Sequence, residues 1–401
     1  MKLPLPAHED LIVRRQADQL GIYVHFPYCI HKCSYCDFYS AGMDRMPGGG
    51  KTVPVSDLES FAAQAQLEYQ SRRDQFKKFG RVNSIFFGGG TASLLPAEYV
   101  DRLLELFRSD FDTEGAEITV EGNPENFSPT YIESLARIGV NRIHVGVQSL
   151  HEHTLRDLDR YYDRDRYSAL IETLAHSRIG NRGVDLMYGV PNQTEGQFMA
   201  DLRLLLSTGL THVSLYSLTA EPGTPYEAAV RKKKAPSPDE DLQAKLFQEL
   251  PEFLSHEGFI HYEVSNFARP GFLCRHNLRY WLYEPTLAIG PGAHGFDGSL
   301  RYANPRNVIA WQNSPATSPM TMHDPSLEIP LCILRILVPI AREDLESLFA
   351  PLDRGEQGMM LLQKWANQGL ADFTGHFQWK SGAVLFLDDR IMEMQEVLSP
   401  A

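Results

Sequence analysis

The stretch GIYVHFPYCIHKCSYCDF, residues 21–38, decides the reading of this chain. Its first six residues are an apolar run rich in β-branched and aromatic side chains, and the run stops at Pro27: a strand, then a loop. Three cysteines stand in the loop, Cys29, Cys33 and Cys36, at spacings of four and three. Thiolates so spaced can converge on one metal centre. Four would close a structural zinc site or a fully ligated iron–sulfur site. With three, one iron of a [4Fe–4S] cluster lacks a protein ligand, and an open position lets a metal act on a bound molecule. The competing reading is a Cys3His zinc site completed by His25 or His31. Zinc ligands usually follow C-x2-4-C and H-x3-5-H spacing, which is not the pattern here. Merely buried cysteines would not be interleaved with His, Lys, Tyr and Asp.

Similar β-type runs recur outward from this stretch, each ending at Gly, Asn or Pro or in a polar turn: SIFFGGG (84–90), AEITVEGN (116–123), RIHVGVQS (142–149), RGVDLMYGVP (182–191) and HVSLYSL (212–218). Segments of helical spacing lie between them, at 61–76, 99–109, 130–139, 166–177 and 195–209. Six strand–helix units predict an α/β fold with a parallel sheet. They fit an open, partial (β/α)6 barrel of TIM-barrel type better than a closed eight-stranded one, which usually takes about 250 residues. Buried parallel strands are expected to be nearly continuous in apolar residues. A further helix is expected at 239–258, then an irregular stretch (261–281) and a Gly-rich one (288–296).

Residues 1–20 form an N-terminal extension, 21–303 the core with its barrel-closing segment, and 304–326 a linker thick in Pro and polar residues. Residues 327–401 read as a small α+β, winged-helix-like domain: helix 359–370, strands FQWKS and AVLFLDD, helix 390–398. Such units often bind DNA, but this one holds eleven acidic and six basic residues, the wrong sign for phosphate. The whole chain of 401 residues carries a net charge of −13, so no nucleic-acid partner is expected. Five cysteines are too few, and odd in number, for a secreted disulfide scaffold. The N-terminus has no apolar signal-peptide core. The most apolar stretch, 327–341, is broken by Pro330, Arg335 and Pro339, so it should not span a bilayer. A reducing cytoplasm is the expected location. PGGGKT (47–52) looks like a phosphate loop, but position 45 is Arg where the motif needs Gly and no strand precedes it. The run Arg231–Lys234 reads as a solvated loop.

A C-x3-C-x2-C motif after the first strand of a partial barrel resembles the radical S-adenosylmethionine (SAM) superfamily. In that family the open iron binds the amine and carboxylate of SAM, and electron transfer into the sulfonium yields a 5′-deoxyadenosyl radical. The resemblance implies a [4Fe–4S] cluster on Cys29, Cys33 and Cys36. It also implies SAM contacts from Tyr23, from Gly89, Gly90 and Thr91 in the GGGT turn, and from Glu121, Gln148, Arg160 and Asp185. Active sites of such barrels gather at the C-terminal strand ends, where glycines admit close backbone approach and Arg can grip a carboxylate. The chain departs from the family pattern at Ala92, where Pro is usual after GGGT, and at Tyr162, where His is usual.

The motifs VHFPYC, FFGGGT, GVQS, DLMYGVP, EPGTP, YEVSNFARPG and IGPGAHG are similar to the coproporphyrinogen-oxidase-like branch, over about residues 20–400. That branch holds oxygen-independent coproporphyrinogen III oxidases, haem chaperones of HemW type and related methyltransferases. The oxidase has a further cysteine two after the third, whereas Asp37 and Phe38 follow Cys36 here. His276-Asn277-Leu278-Arg279-Tyr280-Trp281 resembles the HN-x2-YW motif tied to haem binding in the chaperones. The resemblance therefore implies haem at His276, an acceptor protein, and peripheral membrane contact on delivery. It assigns no catalytic residue, and oxidase and methyltransferase activities remain the alternatives. From the residues alone, His276 reads first as a packed residue in a loop that closes the barrel mouth. Cys274 is a second ligand candidate, better suited to a small buried apolar role.

Overall fold

The computed structural model describes residues 11–43, 52–314, 323–380 and 382–399. The first ten residues of the extension, the middle of the 42–56 insertion with most of its PGGGKT run, and 315–322 of the linker lie outside the described residues. Six parallel strands form the barrel wall: β1 (Leu20–Phe26), β2 (Val82–Gly89), β3 (Glu117–Gly122), β4 (Arg142–Gln148), β5 (Asn181–Tyr188) and β6 (His212–Ser217). They pair in that order, each with the next. Helices α1 (Val55–Phe76), α2 (Ala97–Asp110), α3 (Pro129–Arg137), α4 (Arg164–Ala175), α5 (Glu195–Leu206) and α6 (Glu240–His256) follow them.

Local chemistry starts several of these helices. Ser128 caps α3 with Pro129 in its first turn, and Thr194 and Gln197 form a reciprocal capping box on α5, which satisfies backbone N–H groups that a helix start leaves open. The sheet goes beyond the six. On the β6 side it adds β7 (Ile260–Glu263) and β8 (Asn266–Ala268), and on the β1 side β9 (Thr286–Ile289), β10 (His294–Phe296) and β11 (Arg301–Ala303). The full order is β11-β10-β9-β1-β2-β3-β4-β5-β6-β8-β7.

The strands are not uniformly apolar. Ile22, Val24, Ile85, Phe87, Ile118, Val120, Ile143, Val145, Val184, Leu186, Val213 and Leu215 are buried in one apolar core. Alternate residues form the other face: Tyr23, His25, Ser84, Glu117, Thr119, Glu121, Arg142, His144, Asp185, His212, Ser214 and Tyr216. Period-two alternation thus puts oil under the helices and a polar lining in the lumen.

Beyond the barrel, α7 (Arg275–Trp281) carries the HN-x2-YW motif. Inside the linker span, α8 (Val308–Asn313) buries Trp311 against Phe61 of α1, with ring centroids 5.6 Å apart. The C-terminal unit comprises α9 (Pro325–Ile333), β12 (Ile340–Ala341), α10 (Arg342–Phe349), α11 (Gly355–Asn367), β13 (Ala371–Phe373), β14 (His376–Trp379) and α12 (Leu387–Leu398). The strand expected at AVLFLDD is corrected: Ala383–Phe386 is a 3-10 turn leading into α12, and the hairpin falls earlier, across Ala371–Trp379. The unit shares an apolar core with α7 and β7. Leu337 donates its N–H to Tyr262 O, which covers the open edge at β7.

Candidate functional site at the barrel mouth

The cysteine loop leaves β1 at its C-terminal end and is tied down by the neighbouring strand. Gly90 N–H donates to Phe26 O at 2.7 Å, and Thr91 N–H to Tyr28 O at 2.8 Å. The GGGT turn therefore lies directly under the loop. Gly89 has φ +108°, and a Cβ there would come within 2.8 Å of the His25 ring; one on Gly90 would meet Tyr28 O at 2.7 Å. Only glycine gives both the left-handed turn and the close approach.

Cys29, Cys33 and Cys36 are free and half-buried. Each thiol is pushed above its ordinary range by burial, Cys36 to about 11. The field of Cys33 and Cys29 raises Cys36 further. Burial outweighs the neighbours that favour the thiolates: Thr91 and Ser40 beside Cys29, Arg160 and Tyr35 beside Cys33, and the Phe38 backbone beside Cys36. Arg160 Nη1 is 4.0 Å from Cys33 Sγ. Such a set fits a centre that deprotonates thiols and is tuned by hydrogen bonds to sulfur. Among the described residues no three His, Cys, Asp or Glu side chains are gathered tightly enough to hold a single ion. A cuboidal cluster asks for less crowding, since each thiolate meets a different iron. The two fourth ligands of the zinc alternative are both engaged elsewhere. His25 Nδ1 is 3.0 Å from Tyr23 Oη and its Nε2 2.8 Å from Tyr39 O, while His31 turns to Asp159.

The other strand ends converge beside the loop. Glu121 lies over Gly88, and burial raises its carboxyl to about 7, with His144 opposing and Asp185 adding. Gln148 is buried with φ +65°, a left-handed backbone that strains a non-glycine residue. Its Oε1 makes no hydrogen bond among the described residues. A buried, unpartnered acceptor held by a strained backbone suits a ligand that brings a donor. Arg160 binds Asn123 Oδ1 at 2.9 Å and the Gly146 carbonyl, with Tyr167 Oη at 3.3 Å. Asp185 Oδ1 is 2.6 Å from His144 Nε2. Tyr216 and Tyr280 are 39% and 37% exposed on the lumen side, so solvent reaches below the strand ends. Tyr162 packs on Tyr167, centroids 5.0 Å apart.

His276 sits one layer deeper in the lumen, its ring stacked on that of Tyr23 with centroids 6.1 Å apart. Its backbone N–H donates to Glu117 at 3.3 Å, its Nδ1 is 2.9 Å from Ser84 Oγ, and its Nε2 3.1 Å from Tyr280 Oη. Ser84 and Glu117 begin the lumen face of their strands, so α7 closes the floor of the barrel and not its mouth. Four residues separate Ser84 from Gly88, roughly 13 Å along a strand. His276 is 1% exposed, stacks on Phe86 at 4.9 Å, and is held neutral by burial, its pKa lowered to about 3. Both ring nitrogens are occupied, so iron ligation by His276 does not fit this arrangement. Cys274 is buried nearby, its sulfur 3.6 Å from Glu117.

The sequence reading missed His144, Asn123, Tyr167 and Tyr216. Strand parity could have found His144 and Tyr216, since 144, 146 and 148 share a face.

The profile of the radical SAM superfamily matches residues 23–205. The protein named heme chaperone HemW of Mycobacterium tuberculosis is 33% identical over 285 residues, 71% of each chain. That of Haemophilus influenzae is 34% identical over 278 residues, 69% of this chain and 70% of the other. This chain belongs to the HemW family of radical SAM proteins. A mouse relative, radical S-adenosyl methionine domain-containing protein 1, mitochondrial, is 38% identical over 69% of this chain and 60% of its own. The HemW fold seen here matches the solved coproporphyrinogen III oxidase HemN of Escherichia coli with a TM-score of 0.72, covering 94% of this chain and 90% of that one at 21% identity. That likeness shows the shared fold. No helix among the described residues is long and apolar enough to cross a membrane.

Proposed function

We propose that this HemW-family protein is a haem chaperone: it holds a [4Fe–4S] cluster on Cys29, Cys33 and Cys36, binds SAM at the barrel mouth, and binds haem for transfer to an acceptor protein in the cytoplasm. When bound, the cluster supplies an electron to the SAM sulfonium. The chain's own residues do the holding. Arg160 offers a guanidinium for the methionine carboxylate, the GGGT turn for the amine end, Glu121 and Asp185 acceptors for the ribose, and Tyr23 and Gln148 line the same space. The observation that carries the reading is the cysteine loop itself. It has three thiols and Phe38 where the oxidase pattern has a fourth, in a chain a third identical to proteins named heme chaperones.

Haem binding rests on those relatives, not on His276, whose nitrogens are spent on the floor. A second reading, oxidative decarboxylation of porphyrinogen propionates, is favoured by one feature. Tyr216 and Tyr280 face solvent inside the lumen, where a substrate would sit. Anaerobic reconstitution followed by haem titration and coproporphyrinogen turnover on the same sample tests both. Saturable haem binding without decarboxylation is expected. Steady decarboxylation would make the protein an oxidase.

A further inference from the structure

Between the two mouth acids, Glu121 and Asp185, stands a side chain that no motif singled out. His144 is on the lumen face of β4 and is 6% exposed. Its Nε2 is 2.6 Å from Asp185 Oδ1 and 3.3 Å from Ser214 Oγ. A carboxylate only accepts, so the ring donates through Nε2–H. Nδ1 then faces the backbone of β5. A Cβ at position 183 would come within 2.3 Å of it, so Gly183 makes the room the ring occupies. On the third side the ring meets His212 edge to face, centroids 5.3 Å apart, and His212 is itself 2.8 Å from Tyr262 Oη. The imidazole is thus fixed by a glycine behind it, a ring beside it and an acid before it. The acid is fixed in return, because a carboxylate with one oxygen bonded at that distance has lost its freedom to rotate. The Asp185 side chain keeps 21% of its surface exposed, which leaves its second oxygen for a ligand.

We infer that His144 is a positioning residue for Asp185: its Nε2–H···Oδ1 bond holds the carboxylate in the orientation that accepts a hydrogen bond from a vicinal hydroxyl, the ribose of SAM. The inference rests on the mouth being the SAM site. Partners of this kind orient ligand-binding groups without touching the ligand, and a small misplacement of such a group is costly.

The test uses the full chain, reconstituted without air, with SAM affinity from equilibrium dialysis, iron content and thermal unfolding measured on each variant. His144→Leu fills the space without a donor, and His144→Gln keeps an amide donor. Asp185→Ala removes the acid, and the double variant His144→Leu/Asp185→Ala closes a cycle. His144→Leu should bind SAM about tenfold more weakly, the loss of one charge-assisted bond. His144→Gln should stay within about threefold of wild type, and the double variant should bind no more weakly than Asp185→Ala. Iron content should not change. S-adenosylhomocysteine binding to cluster-free protein should follow the same order, which removes contact with iron from the readout. Wild-type affinity in His144→Leu beside a weakened Asp185→Ala overturns the inference, as does additivity of the two losses. Unchanged affinity in Asp185→Ala overturns the mouth as the SAM site, and the inference with it. If the leucine variant does not fold, His144→Phe, a flat ring without a donor, takes its place.

Discussion

The two ends of the lumen are built from the same strands and use their central polar groups differently. At the mouth, three thiols are half-buried and free, Gln148 holds a strained backbone with an unpartnered oxygen, and Glu121 is an acid burial keeps from ionising readily. At the floor, His276 has both nitrogens bonded. Arg279, 1% exposed, reaches Asn83, the carbonyls of Gln19 and Pro285, and Glu284 at 3.1 Å. The floor keeps some unpaired atoms, Arg142 Nε and Nη2 and Trp281 Nε1, but its central groups, His276 and Arg279, are bonded within the protein, which makes it a foundation, while the open thiols and the Gln148 oxygen make the mouth a site. The difference argues that the cofactor chemistry belongs to the mouth, and that the HN-x2-YW helix supports it from below.

The strongest way to break this comparison is at the cysteines. Replacing any one of Cys29, Cys33 or Cys36 by Ala should abolish the cluster absorbance of the reconstituted protein, since three ligands leave no spare. Cys274→Ala and Cys332→Ala should retain full iron and sulfide. Zinc in place of iron in protein purified without air would overturn the assignment. Next comes the foundation. Arg279→Leu strands the buried Glu284 and should cost about 3–5 kcal/mol of stability, read as a fall in the denaturation midpoint. Arg279→Leu protein that folds should still take up iron. A Glu284→Gln partner in the same background should recover part of the loss.

How far each end was legible in the sequence follows from how local its logic is. The strand ends and the cysteine loop are written in contiguous runs: a β-branched stretch, then Gly, Asn or Pro, then a polar residue. The partial barrel and the order of its strand ends could therefore be read, while His144, Asn123, Tyr167 and Tyr216, which no motif marks, could not. The floor could not. His276 owes its place to Ser84 and Glu117, which come from other strands far along the chain. A motif that reads as a haem ligand and one that reads as a floor piece differ only in those partners. The N-terminal segment is similar. Arg15 holds the carbonyls of Leu282 and Tyr283, and Gln16 N–H meets Glu284, contacts with no local signature. AVLFLDD misled for the converse reason. Its β propensity is real, but the strand pairing had already been completed by the hairpin before it, and propensity yields to tertiary context.

At the mouth, Arg160→Ala and Asp185→Ala should each weaken SAM binding by roughly tenfold to a hundredfold, as the loss of a hydrogen bond to a charged group implies. Iron content should be unaltered in both, because neither residue is a cluster ligand. Unchanged affinity in both variants would show that the strand ends do not hold SAM, and the contrast between mouth and floor would lose its functional meaning.

The smallest expected effect is also the most direct comparison of the two ends, because they titrate in opposite senses. Folding raises Glu121 from 4.5 to about 7, so between those values the native state holds a proton that the unfolded chain has released. Stability from this group is therefore greatest below pH 4.5 and is lost as pH rises through 7. Folding lowers His276 from 6.5 to about 3, so the unfolded chain is the one that takes up protons. Stability from this group is full above pH 6.5 and is lost as pH falls toward 3. Unfolding free energies from urea titrations should show it. Relative to Glu121→Gln, wild type should lose about 1 kcal/mol between pH 6 and pH 8. Relative to His276→Gln, it should lose about 1 kcal/mol between pH 6 and pH 5. His25 and His261, each lowered to about 4, add to the acid loss in wild type and variant alike, so the difference isolates His276. A wild-type curve parallel to that of His276→Gln would mean the imidazole is reachable by solvent, and the floor would then be open enough for haem after all.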